Sequence, residues 1–318
     1  MTEPGPANGE TRILHPERAS EASERSERSS LQESVAARLG SDREARWILE
    51  HADGDQDLAL ALTDRRAGGE PLQYVLGRWP FRTLELTVDR RVLIPRPETE
   101  QVVEVALAAL AALVARAARE AGAGPGGAVG RPAAGPVCVD LGTGSGAIAL
   151  SLAAEGGAQF PDLQVWATDR SAEALAVAAG NLTELGRVDR DAASRVHLSE
   201  GSWFDALPAG LVGSVDLVVS NPPYVAEEDY DRLDPVVRDW EPRGALVAER
   251  GSDGVTGMAA IELIVAGARR WLRPTGLLVI EIDPSQAAAA SAAGRRAGFD
   301  HVRVERDLAG RLRVFVAR

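Results

Sequence analysis

The sequence PVCVDLGTGSGAIAL, residues 136–150, joins a short apolar run to a helical pattern through three glycines, Gly142, Gly144 and Gly146. Glycine has no Cβ, so the backbone there can turn tightly and approach a ligand closely. The free N–H groups at the start of the following helix would face the same ligand. The spacing G-x-G-x-G differs from the dinucleotide fingerprint G-x-G-x-x-G. A glycine loop alone is also compatible with a plain tight turn.

Strands and helices alternate downstream of this loop, which predicts a mostly parallel sheet with helices on both faces. We therefore expect an α/β, Rossmann-like fold with a seven-stranded sheet. The last two strands, HVRVERD and LRVFVAR, are separated only by a turn and predict a C-terminal antiparallel hairpin. Ligands of such sheets bind beyond the C-terminal strand ends, where Asp140, Asp169 and Asn221 fall.

Asp169 ends the strand QVWATD that follows the glycine loop. An acid at this place in an α/β unit accepts hydrogen bonds from a ribose diol, and an ionised carboxylate offers two acceptor oxygens. Asp169 alone is equally compatible with a cap for the helix that starts at SAEALAV. Together with the loop, it favours a nucleotide-like ligand.

The segment VSNPPYV, residues 219–225, ends an apolar strand with two prolines. Neither proline has an N–H for the sheet, and each restricts the residue before it to extended conformations. The segment is thus predicted to form a stiff, open edge that carries the amide of Asn221 and the ring of Tyr224.

The remaining sequence predicts further segments around this α/β region. Residues 1–30 are rich in Ser, Glu and Arg and predict a disordered tail. Residues 31–80 have helical patterns, with Ser41 as an N-cap, and predict a small helical domain. Residues 81–96 alternate as a β-hairpin linker would, and residues 97–318 form the main domain. A Gly/Ala/Pro-rich stretch, 121–136, predicts a flexible loop inside it.

The overall composition limits the classes of function. Lys and Arg number 35 against 47 Asp and Glu, which argues against a broad phosphate-binding surface. The single cysteine, Cys138, lies in an apolar run and is expected to be a buried thiol, without disulfide or cysteine metal cluster. No apolar run reaches the length of a membrane helix and no signal peptide is evident, so a cytoplasmic protein is expected. No metal is expected.

The combination of D-x-G-x-G-x-G, a strand-end acid and N-P-P-Y resembles the class I methyltransferases that use S-adenosylmethionine. In that class, N-P-P-Y marks enzymes that methylate planar amide or amino nitrogens. Upstream, LIPRPETE at residues 93–100 resembles the release-factor glutamine methyltransferase family. The resemblance extends from about Leu31 to Arg318 and includes GEPLQYVLG, GSWFDAL, EPRGALVA and RDLAGRLRVFVAR.

The resemblance implies S-adenosyl-L-methionine as the cofactor, the GGQ glutamine of peptide chain release factors as the substrate, and a helical domain that helps grip the release factor. A monomer is expected. It implies cofactor contacts at Asp140, Gly142, Thr143, Gly144, Ser145, Gly146, Asp169, Trp203 and Asn221. It implies substrate contacts at Asn221, Pro222, Pro223, Tyr224 and Glu100, with catalysis by Asn221, Pro222 and Tyr224. Asp283 departs from the glycine expected in relatives and leaves the conformation of its loop open.

Chemistry suggests how such a site works. A carboxamide nitrogen is a poor nucleophile, so the Asn221 side-chain oxygen and the Pro222 carbonyl are expected to accept its two N–H groups and aim it. The Tyr224 ring would either stack on the substrate amide or form part of the pocket lining. Glu98 and Glu100 would contact substrate or, more in keeping with a helix start, orient their turn.

Two rival functions remain at the level of sequence. One is an adenine-N6 nucleic-acid methyltransferase, which would need to capture a base and hold phosphates. The acidic composition and the lack of a basic, aromatic-interleaved segment argue against it, so no direct nucleic-acid specificity is expected. The other is a non-catalytic scaffold with this fold, against which the intact glycine loop, Asp169 and N-P-P-Y argue together.

Overall fold

The computed structural model describes residues 29–120, 135–248, 251 and 255–318. The predicted tail and the predicted 121–136 loop lie outside these residues except at their ends, where residues 29–30 are already helical. The chain divides into two compact units, Met1–Leu76 and Gly77–Arg318. Among the described helices, none is long and apolar enough to cross a membrane.

The described part of the first unit is helical. Ser41 and Asp55 each accept a backbone N–H from three residues on, and so cap the second and third helices as hydroxyl and carboxylate N-caps do. The helices are α1 (29–39), α2 (Asp42–Ala52), α3 (Gln56–Ala67) and α4 (Leu72–Leu76). They bury a small core of Ile48, Ala52, Ala59, Leu62, Leu72 and Val75.

The segment GEPLQYVLG ends this helical unit. The Glu70 carboxylate accepts two hydrogen bonds from the Arg65 guanidinium, at 2.9 and 2.6 Å. The same guanidinium donates to the carbonyls of Tyr74 and Val75, which lie in the last turn of a short helix. Glu70 and Arg65 therefore fix the end of α4.

The second unit contains all of the described strands. They are β1 (Arg78–Phe81), β2 (Leu84–Thr87), β3 (Val137–Leu141), β4 (Gln164–Asp169), β5 (Val196–Glu200), β6 (Val215–Ser220), β7 (Val225–Ala226), β8 (Val247–Ala248), β9 (Leu272–Glu281), β10 (Val302–Arg306) and β11 (Leu312–Ala317). Its helices are α5 (Pro97–Glu120), α6 (Ala147–Gln159), α7 (Ala172–Val188), α8 (Arg190–Ser194), α9 (Pro235–Arg238), α10 (Arg243–Leu246), α11 (Ala259–Trp271) and α12 (Ala287–Arg296).

Seven strands form the central sheet, in the order β10-β11-β9-β6-β3-β4-β5. All neighbouring pairs are parallel except those of β11, which is antiparallel to both β9 and β10. The predicted seven-stranded, mostly parallel sheet with a C-terminal antiparallel hairpin is confirmed. The chain leaves β3 for β4 on one side and later returns to β6 on the other, so the strand order reverses between β3 and β6. This reversal opens a crevice at the carboxyl ends of the strands.

Two apolar clusters cover the two faces of this sheet. Leu110 of α5 and Leu152 of α6 belong to one, while Ile261 of α11 and Ala290 of α12 belong to the other. Cys138 is fully buried in the first cluster, as predicted, and burial raises the pKa of its thiol. A protonated thiol that is buried among apolar side chains is chemically inert.

The hairpin lies earlier in the chain than predicted, at residues 78–87 and not within 81–96. Its two-residue turn begins at Arg82, whose φ of 52° is unusual for a residue with a side chain. Two carboxylates compensate: Glu100 accepts the Arg82 N–H at 3.1 Å, and Glu155 accepts two guanidinium hydrogen bonds at 2.6 Å each. Because this turn contains no glycine or asparagine, the sequence carried no local signal for it.

Candidate cofactor and substrate site

The glycine loop runs from the end of β3 into α6. Gly142, Gly144 and Gly146 have φ values of 73°, 56° and 86°, a region in which a side chain would be strained. The N–H groups of Gly142 and Thr143 both donate to the carbonyl of Thr168, at 2.8 and 2.9 Å. The loop is thereby anchored to β4, and its shape depends on the three glycines that the sequence placed there.

Asp140 lies beneath this loop and is fully buried. Its Oδ2 accepts the Thr143 hydroxyl at 2.6 Å and the Ala149 N–H at 3.1 Å, while its Oδ1 has no partner. Burial raises the pKa of this carboxyl to about 7. An unpaired buried acceptor is costly, and its position beneath the loop fits a bound molecule that brings donors or positive charge.

This carboxyl gives a pH-dependent prediction for the protein without cofactor. Its folded pKa lies above the unfolded value, so the folded state holds the proton more tightly and gains stability as pH falls through about 7. Asp140→Asn keeps the shape but cannot titrate. Between about pH 8 and about pH 5, the free energy of unfolding should rise by about 2–3 kcal/mol more for the unmodified protein than for the variant. Urea denaturation at both pH values measures this, and equal changes would contradict it.

Asp169 contacts the glycine loop directly. Its Oδ2 accepts the Gly144 N–H and its Oδ1 accepts the Ser171 N–H, both at 2.9 Å. Ser171 is itself the N-cap of α7, since its hydroxyl accepts the Ala174 N–H. An ionised carboxylate has about four acceptor positions, and two of them remain for a ligand. The ribose contact of Asp169 stays a prediction.

Trp203 packs beside the same loop. A Cβ built on Gly142 would lie 3.5 Å from the Trp203 ring atom Cζ3. The φ of Trp203 is 48°, a strained value for an aromatic residue, and its carbonyl accepts the Thr168 hydroxyl at 3.0 Å. Strain of this kind is concentrated at functional sites. The contact between Trp203 and the cofactor stays a prediction.

Asn221 follows β6 at the crevice. Its Nδ2 donates to the Thr99 hydroxyl oxygen at 3.1 Å. Within the described residues, no hydrogen bond to its Oδ1 or to the carbonyl of Pro222 is found, and Pro222 is a buried residue. One side-chain acceptor and one main-chain acceptor at this strand end therefore have no hydrogen-bond partner among the described residues, and their contacts with a substrate stay a prediction.

Tyr224 is held through its main chain by Gln286. The Gln286 side chain is buried, and its Nε2 donates to the Tyr224 carbonyl at 3.1 Å. Its Oε1 accepts the N–H of Asp283, which caps the turn after β9 through Ser285. The φ of Asp283 is −72°, so this loop does not need the glycine expected in relatives. Burial, with a contribution from the Glu281 carboxyl, raises the pKa of the Tyr224 phenol and keeps it protonated.

Both acids of the segment PETE, residues 97–100, accept hydrogen bonds from other parts of the second unit. Glu98 accepts the Arg311 guanidinium at 2.9 Å, and Glu100 accepts the Arg82 N–H of the hairpin turn at 3.1 Å. These contacts favour the orienting role for the pair. The substrate contact of Glu100 stays a prediction.

Sequence reasoning missed several buried polar residues, among them Asn181 of α7. Its Oδ1 accepts the Thr87 N–H at 2.7 Å, and its Nδ2 donates to the carbonyls of Thr87 and Ser145. Asn181 thus ties the hairpin to the glycine loop. A local signal existed, because Asn181 falls in the buried apolar stripe of its helix. That stripe contains Ala174, Val177, Ala178 and Leu185. Thr99, Glu281 and Gln286 were also missed.

Asn181→Ala should lower the free energy of unfolding by about 2–4 kcal/mol, because three backbone groups lose their partner, the buried Ser145 carbonyl and two groups of the partly buried Thr87. Thr183→Ala on the exposed face of the same helix is the matched control and should cost well under half as much. Chemical denaturation compares them. An Asn181 variant no less stable than the Thr183 variant would show that this tie is dispensable.

The fold and the site together define a class I methyltransferase. The seven-stranded sheet with antiparallel β11 places the glycine loop, the strand-end Asp169 and N-P-P-Y along one crevice. Comparison with known proteins agrees, since the family model described as "Methyltransferase small domain" matches residues 131–236.

Similar proteins from other organisms show which family the chain belongs to. A release factor glutamine methyltransferase of Bordetella pertussis is 40% identical, with 84% of this chain and 87% of the relative covered. One from Xylella fastidiosa is 38% identical, with 93% and 95% covered. A third, from Burkholderia pseudomallei, is 40% identical with 82% of each chain covered. The chain belongs to the release factor glutamine methyltransferase family.

Proposed function

We propose that this protein transfers a methyl group from S-adenosylmethionine to the side-chain amide nitrogen of the glutamine in the GGQ motif of peptide chain release factors. Membership of the family supports the reaction and the class of substrate. The observation in the site that carries the proposal is the pair of free acceptors, the Asn221 side-chain oxygen and the Pro222 carbonyl. A primary amide has two N–H groups, which match two acceptors.

The residues around the glycine loop fit the cofactor. The unpaired Oδ1 of Asp140, the positive-φ glycines and the free acceptor positions of Asp169 suit a cationic molecule with a ribose. Bound there, S-adenosylmethionine supplies an electrophilic methyl group. The residues proposed to hold it are Asp140, Gly142, Thr143, Gly144, Ser145, Gly146, Asp169, Trp203 and Asn221.

The protein's own task is to orient and polarise the substrate amide. The amide lone pair is delocalised into the carbonyl, and no ordinary side-chain base removes its proton. By accepting the two N–H groups, Asn221 and Pro222 fix the direction of the nitrogen. The same acceptors stabilise the positive charge that develops on that nitrogen in the transition state. As the bond from nitrogen to the methyl group forms, the bond from that methyl group to the cofactor sulfur would break, and the extra proton on nitrogen would then pass to water.

Tyr224 contributes shape to this site. Because its phenol keeps its proton, we assign it no part in proton transfer. The hydrogen bond from Gln286 to the Tyr224 carbonyl holds the residue in place. We propose that the ring stacks on the planar amide, with Pro223 beside it, so that the amide plane stays aligned with its two acceptors.

The partner and the place of action extend the proposal. We propose that residues of about 31–80 help grip the release factor, and that the protein acts as a monomer in the cytoplasm. The acidic net charge of −12 supports a protein substrate over a polyphosphate. Direct nucleic-acid specificity forms no part of the proposal.

The test incubates the protein with methyl-labelled S-adenosylmethionine and purified release factors, in parallel with the same factors in which the GGQ glutamine is replaced by alanine. Label should enter the intact factor and not the replaced one. Duplex and single-stranded DNA are included as alternative acceptors. Label that ignored the replacement, or that entered DNA in preference, would contradict the proposal.

A further inference from the structure

Three polar side chains from different parts of the second unit form a hydrogen-bonded chain at the crevice. The Thr99 hydroxyl in the first turn of α5 donates to Glu281 Oε2 at 2.6 Å. The same Thr99 oxygen accepts from Asn221 Nδ2 at 3.1 Å. Thr99 and Glu281 are 3% and 1% exposed, so water does not replace these partners.

The sheet explains why the three residues meet. Ser220 of β6 pairs in parallel register with Ile280 of β9, so the next residues, Asn221 and Glu281, are neighbours at the carboxyl edge. Thr99 comes from the LIPRPETE segment, and its own N–H donates to the Arg96 carbonyl at 3.0 Å, which fixes the turn. LIPRPETE and N-P-P-Y therefore meet through one hydroxyl group.

Counting hydrogens along this chain determines which way the Asn221 amide faces. A hydroxyl has one hydrogen, and an ionised carboxylate can only accept. With its hydrogen directed to Glu281, the Thr99 oxygen can only accept from Asn221. If the amide were flipped, Asn221 Oδ1 would face the Thr99 oxygen, and both are acceptors. Alternatively, the Thr99 hydroxyl would donate to Asn221 Oδ1, and the buried Glu281 carboxylate would lose its hydrogen bond. Nδ2 therefore faces Thr99, and Oδ1 faces the crevice.

The charged groups around Glu281 are consistent with an ionised carboxylate at neutral pH. Burial raises the pKa of Glu281 to about 6, with a smaller raising effect of Glu98, while the Thr99 hydrogen bond, Arg313 and Arg96 oppose the rise. The Tyr224 phenol, whose pKa this carboxyl helps to raise, stays neutral. At pH 7 and above Glu281 is therefore mainly an acceptor, as the hydrogen count requires.

We propose that Thr99 and Glu281 are positioning residues that lock the Asn221 amide with its oxygen toward the substrate. Glu281 directs the Thr99 hydroxyl, and Thr99 in turn directs Asn221. This inference rests on the proposed function, because it assigns the two residues a role in aiming the glutamine amide. Neither residue touches the reacting atoms.

Thr99→Val tests the role of the hydroxyl, because valine has nearly the same shape but no hydrogen bonds. At saturating release factor and cofactor, kcat should fall by about 10- to 50-fold, while Kd for S-adenosylmethionine stays within about threefold. Thr99→Ser keeps the hydroxyl and should recover most of the rate. Thr183→Val removes a threonine hydroxyl on an exposed helix face, and should leave kcat unchanged. Wild-type turnover in Thr99→Val would overturn the proposal.

A double variant separates positioning from general loss of structure. If Thr99 acts only through Asn221, then Thr99→Val added to Asn221→Ala should change kcat by less than about twofold, because nothing is left to orient. If the double variant instead lost kcat by the product of the losses in the two single variants, the proposal would be overturned. An unmodified protein that labels no glutamine would count against the proposed function instead, so the two failures differ.

Nuclear magnetic resonance gives a readout that does not depend on activity. The side-chain NH2 signals of Asn221, identified by their loss in Asn221→Ala, should shift in Thr99→Val and in Glu281→Gln. They should not shift in Thr183→Val. Unmoved signals in both site variants would show that Thr99 and Glu281 do not hold the amide.

Discussion

Asn221→Ala is expected to lower kcat by about 10²- to 10³-fold, the effect of removing one preorganised hydrogen-bonding group from a polar transition state. The variant loses the only side-chain acceptor proposed for the substrate amide, and the Pro222 carbonyl alone cannot fix the direction of the nitrogen. Single-turnover methylation of a release factor measures the chemical step directly.

Binding of the cofactor is the control for this variant. Asn221 is one of nine residues proposed to hold the cofactor, and the hydrogen bonds of the glycine loop and Asp169 do not involve it. Calorimetry should therefore give a Kd for S-adenosylmethionine within about threefold of the unmodified protein. A thermal unfolding curve checks that the variant is folded. A folded variant with normal turnover would remove Asn221 from the mechanism.

Asp169→Ala is expected to weaken S-adenosylmethionine binding by about 10- to 100-fold, which corresponds to about 1.5–3 kcal/mol of charge-assisted hydrogen bonds. Two losses act in the same direction. The ribose diol would lose its acceptor, and the Gly144 N–H would lose the carboxylate that anchors the glycine loop. Calorimetric titration gives the change in Kd.

Asp189→Ala is the matched control for Asp169→Ala. Asp189 is likewise an acid whose carboxylate accepts a backbone N–H, from Ala192 at the start of α8, but among the described residues it has no hydrogen bond to the glycine loop. Its replacement should leave Kd unchanged. Equal affinities in the Asp169 variant and the unmodified protein would exclude Asp169 from the site.

Local sequence patterns were sufficient to predict most of the fold. The apolar runs that end at Asp140, Asp169 and Asn221 are strands, and their ends meet along the crevice because parallel strands share one carboxyl edge. The Ser41 cap was also predicted, since capping depends on residues within one helical turn. Each of these features is encoded within a few residues.

Features that depend on distant residues could not be predicted in the same way. Thr99 lies 122 residues from Asn221 and 182 from Glu281, so no periodicity links them. Their hydrogen bonds exist only because the sheet and α5 bring them together. The hairpin was misplaced for a related reason. Arg82 adopts a left-handed conformation because Glu100 and Glu155 hold it there, and both are far away in the chain.

The most direct test of the account is to locate the transferred methyl group. After incubation with S-adenosylmethionine, the release factor is digested and the GGQ-containing peptide is fragmented in a mass spectrometer. The account predicts one added methyl group on the side-chain amide nitrogen of the GGQ glutamine, and none in the Asn221→Ala reaction stopped at the same time. A methyl group on another residue, or on the acceptor glutamine at equal yield with Asn221→Ala, would contradict it.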